Sequence, residues 1–218
     1  MRHIQLLTVL VLSTLAVSAF GFDSDDLNRL TVTNQTGKTI QYLFISPGDS
    51  ADWGPDMLGQ DVLSNRANVT YYMLYQGRTG EFDIMAIDAD NQRYEVRKFT
   101  LTNGSVGRVT INASNKTTVE APDLVNVTLE NVTGYEMKYV FFSPADSSSY
   151  GADILGSETT LTNDSSHTFA ILKPDSDVKY DFMGIDEDND KYTFQVTIRS
   201  NQTDVPVKIE ISDLDTSE

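Results

Sequence analysis

The chain has 218 residues, with 32 acidic against 16 basic side chains, no cysteine and two histidines. A net charge of -16 repels nucleic acid phosphates and anionic membrane surfaces unless a metal ion bridges them. The lack of cysteine removes disulfides, thiolate nucleophiles and sulfur-ligated metals, while 39% hydrophobic residues, with ten Phe and ten Tyr, suffice for packed cores.

Residues 1–20 begin with Arg2 and His3, continue through an apolar run from Ile4 to Val17 and reach the small residues Ser18 and Ala19. A basic start, a short apolar stretch and small residues at the cut make a secretory signal peptide. The run is shorter than the roughly 20 residues a spanning helix needs. The mature chain is therefore expected outside the cytosol, secreted or extracellular, or periplasmic in a bacterium, and must hold together there without disulfides.

An internal repeat follows. Asn34-Gln-Thr36-Gly37 matches Asn131-Val-Thr133-Gly134, and Tyr42-Leu-Phe44-Ile-Ser46-Pro47 matches Tyr139-Val-Phe141-Phe-Ser143-Pro144. In the same register Trp53-Gly54-Pro-Asp56-Met-Leu58-Gly59 falls on Tyr150-Gly151-Ala-Asp153-Ile-Leu155-Gly156. One inserted residue later, Phe82-Asp83-Ile-Met85-Ala-Ile87-Asp88-Ala-Asp90-Asn91 falls on Tyr180-Asp181-Phe-Met183-Gly-Ile185-Asp186-Glu-Asp188-Asn189. These matches place repeat one at 22–111, a polar linker at 112–123, repeat two at 124–211 and an acidic, frayed tail at 212–218.

Within each repeat the apolar residues alternate or run continuously, as in Leu30-Val32, Ile40-Tyr42-Phe44, Val69-Tyr71-Met73, Phe82-Ile84-Ala86 and Tyr94-Val96. Aromatic and β-branched residues fill these runs, and Gly, Asn, Asp and Pro separate them. The expected fold is all-β: two tandem homologous small antiparallel β-sandwich domains of six or seven short strands each.

Two acidic loops recur. Asp49, Asp56, Asp88 and Asp90 in repeat one correspond to Asp146, Asp153, Asp186 and Asp188 in repeat two, where Asp190 adds a further acid at the position of Gln92. Carboxylates gathered at one end of a sandwich repel one another unless a hard cation neutralises them, which makes Ca²⁺ the expected ion and these nine Asp its expected ligands. Asp also favours plain turns, where its side chain bonds the backbone two residues on, and the spacing is not that of an EF-hand. Nine of the thirteen Asn, at 34, 68, 103, 112, 115, 126, 131, 163 and 201, stand in Asn-x-Ser/Thr. They read either as glycan acceptors, making the chain a glycoprotein, or as ordinary turn and strand residues.

The run from Asn34 to Gly59, followed by the Phe82-Asp83 strand and the Asp88-Ala-Asp90-Asn91 turn, resembles a widespread, functionally uncharacterised domain of secreted bacterial proteins, present here in tandem. That resemblance implies a small secreted β domain and brings no activity. A looser likeness, carried by Asp56-Met-Leu58-Gly59 and the paired acidic loops, is to the calcium-dependent phospholipid-binding sandwiches of protein kinase C and synaptotagmin; it implies calcium held between loops.

Trp53 and Tyr150 share one loop position, either as rings that fold the loop onto the sandwich or as platforms for a sugar face. No catalytic set assembles: His167 is the one histidine after the signal segment, read as a surface strand residue, although a glycosidase-like pair of loop carboxylates stays open. The expectation is a secreted, non-enzymatic protein that binds calcium through its acidic loops and acts in adhesion or protein association. The alternative is a carbohydrate-binding module using Trp53 and Tyr150. Its partner is then an extracellular protein or glycan, not nucleic acid, and not an anionic membrane without bridging calcium.

Overall fold

The computed structural model of the chain describes residues 27–216, so the signal segment and its cleavage site lie outside the described residues. In repeat one the strands are β1 (Asn28–Gln35), β2 (Ile40–Pro47), β3 (Asn68–Leu74), β4 (Thr79–Asp88), β5 (Arg93–Thr102) and β6 (Val106–Asn112). In repeat two they are β7 (Leu124–Asn131), β8 (Met137–Pro144), β9 (Gly151–Ala152), β10 (Ser166–Leu172), β11 (Val178–Asp186), β12 (Lys191–Ile198) and β13 (Asp204–Ile209). The chain is all-β.

The strand pairing of the first half recurs in the second. Sheets β6-β1-β3 and β2-β4-β5 have counterparts β13-β7-β10 and β8-β11-β12. Most neighbours run antiparallel, but β1 with β6 and β7 with β13 run parallel. A hairpin cannot join parallel neighbours, so the chain crosses to the other sheet and back before closing the first one.

In β1, Leu30 and Val32 point inward while Arg29 and Thr31 do not, the alternation of a strand with one buried face. Leu30 and Tyr71 from one sheet meet Ile45 and Ile84 from the other, and Val127 and Phe169 meet Phe142 and Phe182 in repeat two. All of these belong to one continuous apolar cluster that runs through both repeats.

The paired strands β2 and β4, and likewise β8 and β11, are buried on both faces over much of their length, which explains their continuous apolar runs. On the outer face of β2 and β4, Phe44, Met85 and Ile87 pack against Trp53 and against Ala121, Leu124 and Leu172. On the outer face of β8 and β11, Phe141, Met183 and Ile185 pack against Tyr150 and against Leu27 and Leu74. Each repeat thus covers a sheet of the other, at about 1.5–3 kcal/mol per fully buried large side chain.

The contacts between repeats come in exchanged pairs. The Asp56 amide donates to the Ala170 carbonyl of β10 at 2.7 Å, and the Asp153 amide donates to the matching Tyr72 carbonyl of β3 at 2.8 Å. Ser50 Oγ donates to Asp146 at 2.6 Å, and Ser147 Oγ donates to Asp49 at 2.8 Å. Such reciprocity is that of an approximate two-fold axis between the repeats, the geometry of an isologous dimer interface. One departure has a chemical cause: Gly151–Ala152 pair with Met73 and Leu74 as β9, whereas Pro55, where repeat two has Ala152, lacks the N–H of a ladder residue.

Between β1 and β2 the Asn-x-Thr-Gly motif forms a closed turn. Asn34 is 0% exposed; its Nδ2 donates to the Lys38 and Leu63 carbonyls, and its Oδ1 accepts from the Thr36 amide and hydroxyl. Asn131 repeats this pattern with Tyr135, Leu161 and Thr133. Residues 113–123 join β6 to β7, beginning with a single 3-10 turn, Ala113–Asn115. The equivalent turn, Ile211–Asp213, precedes Leu214, which pairs with Tyr192, so the start of the acidic tail is tied to β12. Among the described residues no helix is long and apolar enough to cross a membrane.

Candidate functional site

The nine aspartates named as calcium ligands are placed in three separate settings. Asp88 caps the β4–β5 turn: its Oδ1 accepts from the amides of Asp90 and Gln92, and its Oδ2 from the Tyr94 hydroxyl at 2.9 Å. Asp186 does the same with Asp188, Asp190 and Tyr192. Asp90 is exposed and ion-paired with Lys38 at 2.8 Å. Asp188 and Asp190 therefore lend backbone amides to Asp186, the Asx-turn use of an acidic loop.

Asp49 and Asp146 clasp the repeats together. Asp49 accepts from Ser147 Oγ, Ser148 Oγ and the Ser148 amide, and Asp146 from Ser50 Oγ and the Ala51 amide. Partial burial works against the charge on Asp49, but the Ser148 and Ser147 hydrogen bonds outweigh it and its pKa is lowered.

Asp56 and Asp153 are the deepest acids, each 0% exposed. Oδ1 of Asp56 accepts from the Leu43 and Leu58 amides, and Oδ1 of Asp153 from the Val140 and Leu155 amides, while Oδ2 of each has no hydrogen-bond partner. Burial pushes their pKa values up to about 7 and about 8 respectively, against the pull of those amides. Among the described residues no group of three or more His, Cys, Asp or Glu side chains comes close enough to hold a metal ion.

The two loop aromatics occupy matching places with different surroundings. In repeat one the Arg97 guanidinium lies 4.5 Å from the Trp53 ring centre, and its Nη1 and Nε bind Asp83 and Glu95 at 2.7 and 2.6 Å. This ion-paired guanidinium covers the outward face of the indole. In repeat two Gln195 stands where repeat one has Arg97, and its shorter side chain donates to Asp181 Oδ1 at 2.8 Å. At Asp181 a cleft of about 280 Å³ opens, lined by Tyr150, Asp181, Met183, Lys191, Leu74 and Gln76 and by Ser147, Ser148 and Ser149; Gln195 adjoins it through Asp181.

The cleft joins a half-buried aromatic ring to a few converging polar groups of both signs, and its volume suits one small polar ring, near the lower bound for ligand pockets. Sequence reasoning found Tyr150 but missed Gln76, Asp181, Lys191 and Gln195. The change from Arg97 to Gln195 between aligned repeats was the available signal. His167 is only partly exposed rather than a plain surface residue: it lies under Gly59 of the other repeat, and burial lowers its pKa.

No family model matches the chain, and no curated protein does. Several solved structures match the chain at low identity and low structural overlap, three of them as follows. The Bacillus anthracis TIE protein is 9% identical, with 84% of this chain and 34% of that one covered, at a TM-score of 0.25. A protein described as a candidate adhesin from Bacteroides ovatus ATCC 8483 is 11% identical, with 88% and 94% covered, at 0.27. The module CBMbc (family CBM26) from Eubacterium rectale Amy13K, in complex with maltoheptaose, is 8% identical, with 84% and 91% covered, at 0.23. The chain spans about a third of the length of the TIE protein.

Proposed function

We propose that the chain is a non-enzymatic, extracellular binding protein that takes a sugar ring in the Tyr150 cleft and so serves attachment to a glycan. The observation that supports this reading is the contrast between the repeats: the matching position is roofed by Arg97 over Trp53 in one and left open beside Tyr150 in the other. An aromatic face carries the apolar side of a sugar, while Asp181, Gln76 and the serine hydroxyls offer acceptors and donors to its hydroxyl groups. In this reading the acidic loops are scaffolding: they cap turns and clasp the repeats, and binding does not depend on calcium.

A glycan array followed by calorimetry tests it. Tyr150→Ala is expected to weaken binding at least about tenfold, a loss of about 1.4 kcal/mol. Gln195→Arg, which rebuilds the Arg97 arrangement beside Asp181, is expected to close the cleft while leaving the melting temperature unchanged. Trp53→Ala is expected to lower the melting temperature and spare binding, and chelation of divalent ions is expected to leave affinity as it was. Binding that survives both Tyr150→Ala and Gln195→Arg rules the cleft out.

A further inference from the structure

The Tyr150 cleft does not end at Tyr75 and Gln76. A second compartment of about 230 Å³ shares Tyr75, Gln76, Ser148 and Ser149 with it and continues along the seam between the repeats to Thr79, Glu81 and Asp49. The shared wall is built from both repeats: Tyr75 and Gln76 follow β3, and Ser148 and Ser149 belong to the loop before β9.

The residues of this wall are held to different degrees. Tyr75 is fixed by its hydroxyl, which donates to the Leu101 carbonyl at 3.2 Å, and its ring meets Phe82 edge-on at 5.6 Å. Ser149 Oγ donates to the Leu74 carbonyl at 3.0 Å and Ser148 Oγ to Asp49 at 2.7 Å. Gln76 is exposed at the hairpin tip and its side-chain amide makes no hydrogen bond within the described residues, although it lines both compartments. A primary amide has two donors and an acceptor, the set that spans neighbouring hydroxyls on a sugar chain.

The two compartments also differ in composition. The first contains Tyr150, Met183 and Leu74 with Asp181 and Lys191; the second has no cation, and Asp49 and Glu81 are its charged groups. Neither carboxylate is ion-paired among the described residues. Carboxylates there accept hydroxyl hydrogens and repel an anionic unit.

From this geometry we infer that the groove reads two consecutive units of an uncharged oligosaccharide, one on Tyr150 and the next beside Gln76 and Glu81, and rejects chains that place a uronate or sulfate in the second position. The inference rests on the saccharide reading of the Tyr150 cleft.

The test is calorimetry on the mature chain with cello-, malto- and chito-oligosaccharides of one to four units, and with galacturonate oligomers of the same lengths. A series that binds is expected to gain about tenfold in affinity from one unit to two. Glu81→Ala, at a residue that lines the second compartment alone, is expected to cancel that gain while leaving single-unit binding in place, and galacturonate oligomers of two or more units are expected to gain nothing over the single unit. Affinity independent of chain length, or a two-unit gain that survives Glu81→Ala, overturns the second subsite alone. Binding of galacturonate dimers as tight as that of the uncharged dimers overturns the charge selection. No binding to any series overturns the saccharide reading together with this one.

Discussion

Only half of the Asp153 carboxyl is used by the protein around it. Two amides hold Oδ1, while Oδ2 sits without a partner in the interior, and Asp56 repeats the arrangement. A buried unpaired charge costs several kcal/mol, so the neutral acid is favoured and the folded-state pKa lies well above the unfolded value. The folded chain then holds a proton that the unfolded chain releases near pH 4. This contribution is complete below that pH and is lost as pH rises through about 7 for Asp56 and about 8 for Asp153. Each pKa unit of difference corresponds to about 1.4 kcal/mol. The melting temperature is therefore expected to fall between pH 4 and 9 by more than that of an Asp56→Asn/Asp153→Asn variant. Superimposable pH profiles by scanning calorimetry would show that neither acid is held neutral. The sequence marked both residues as special through their recurrence, yet recurrence alone does not distinguish an acid that binds a cation from one that binds its own backbone. That choice depends on which amides the folded loop points inward, and spacing does not carry it.

At the level of elements, the Asn-x-Thr-Gly turn gives one sequence pattern two meanings. Asn34 and Asn131 spend their amide groups on carbonyls across the turn, so neither is open to an external enzyme in the folded protein. Asn68, Asn103, Asn126, Asn163 and Asn201 are exposed. If a glycosylating host folds the chain before modifying it, peptide mass spectrometry is expected to find glycan among those five and none at Asn34 or Asn131. Replacing either turn residue by Ala is expected to cost about 1–3 kcal/mol in denaturant unfolding, since it removes the side-chain hydrogen bonds that close the turn. Strand positions were readable from apolar alternation, with β1 the clearest case. The parallel closure of each outer sheet by β6 and β13 was not, because β6 and β13 alternate in the same way whichever direction their neighbour runs. Gly54 illustrates a further limit. A Cβ there would lie 2.6 Å from the Ile45 carbonyl, so Gly54 marks a close approach of the loop to its own β2 strand, whereas Gly151 at the matching position has a φ of +75° and no such contact; recurrence reports the residue without separating the two reasons.

For the whole molecule, the sequence gives two similar halves and a polar connection, and it is silent about how the halves touch. The apolar outer faces of β2, β4, β8 and β11 held the missing information: residues such as Phe44 and Phe141 break the alternation expected of a sandwich with one solvated face. Because one core runs through both repeats, they are expected to unfold together. Trp53, the single tryptophan, reports on repeat one, while far-UV circular dichroism reports on both. The two signals are expected to change at the same urea concentration in the native chain. Removing the clasp with Asp49→Ala/Asp146→Ala is expected to lower that midpoint, and two separated transitions in the native chain would show the halves to be independent.

The approximate two-fold axis also constrains chain connectivity. Rotation about it carries the end of β6 onto the end of β13 and the start of β7 onto the start of β1, so the gap that 113–123 spans is reproduced between Ile209 and Asn28. A segment of the same length can therefore join those two points while the original connection is cut. The order of the repeats along the backbone is then reversed with every inter-repeat contact left in place, as though the polypeptide could be started at either of two doors of the same room.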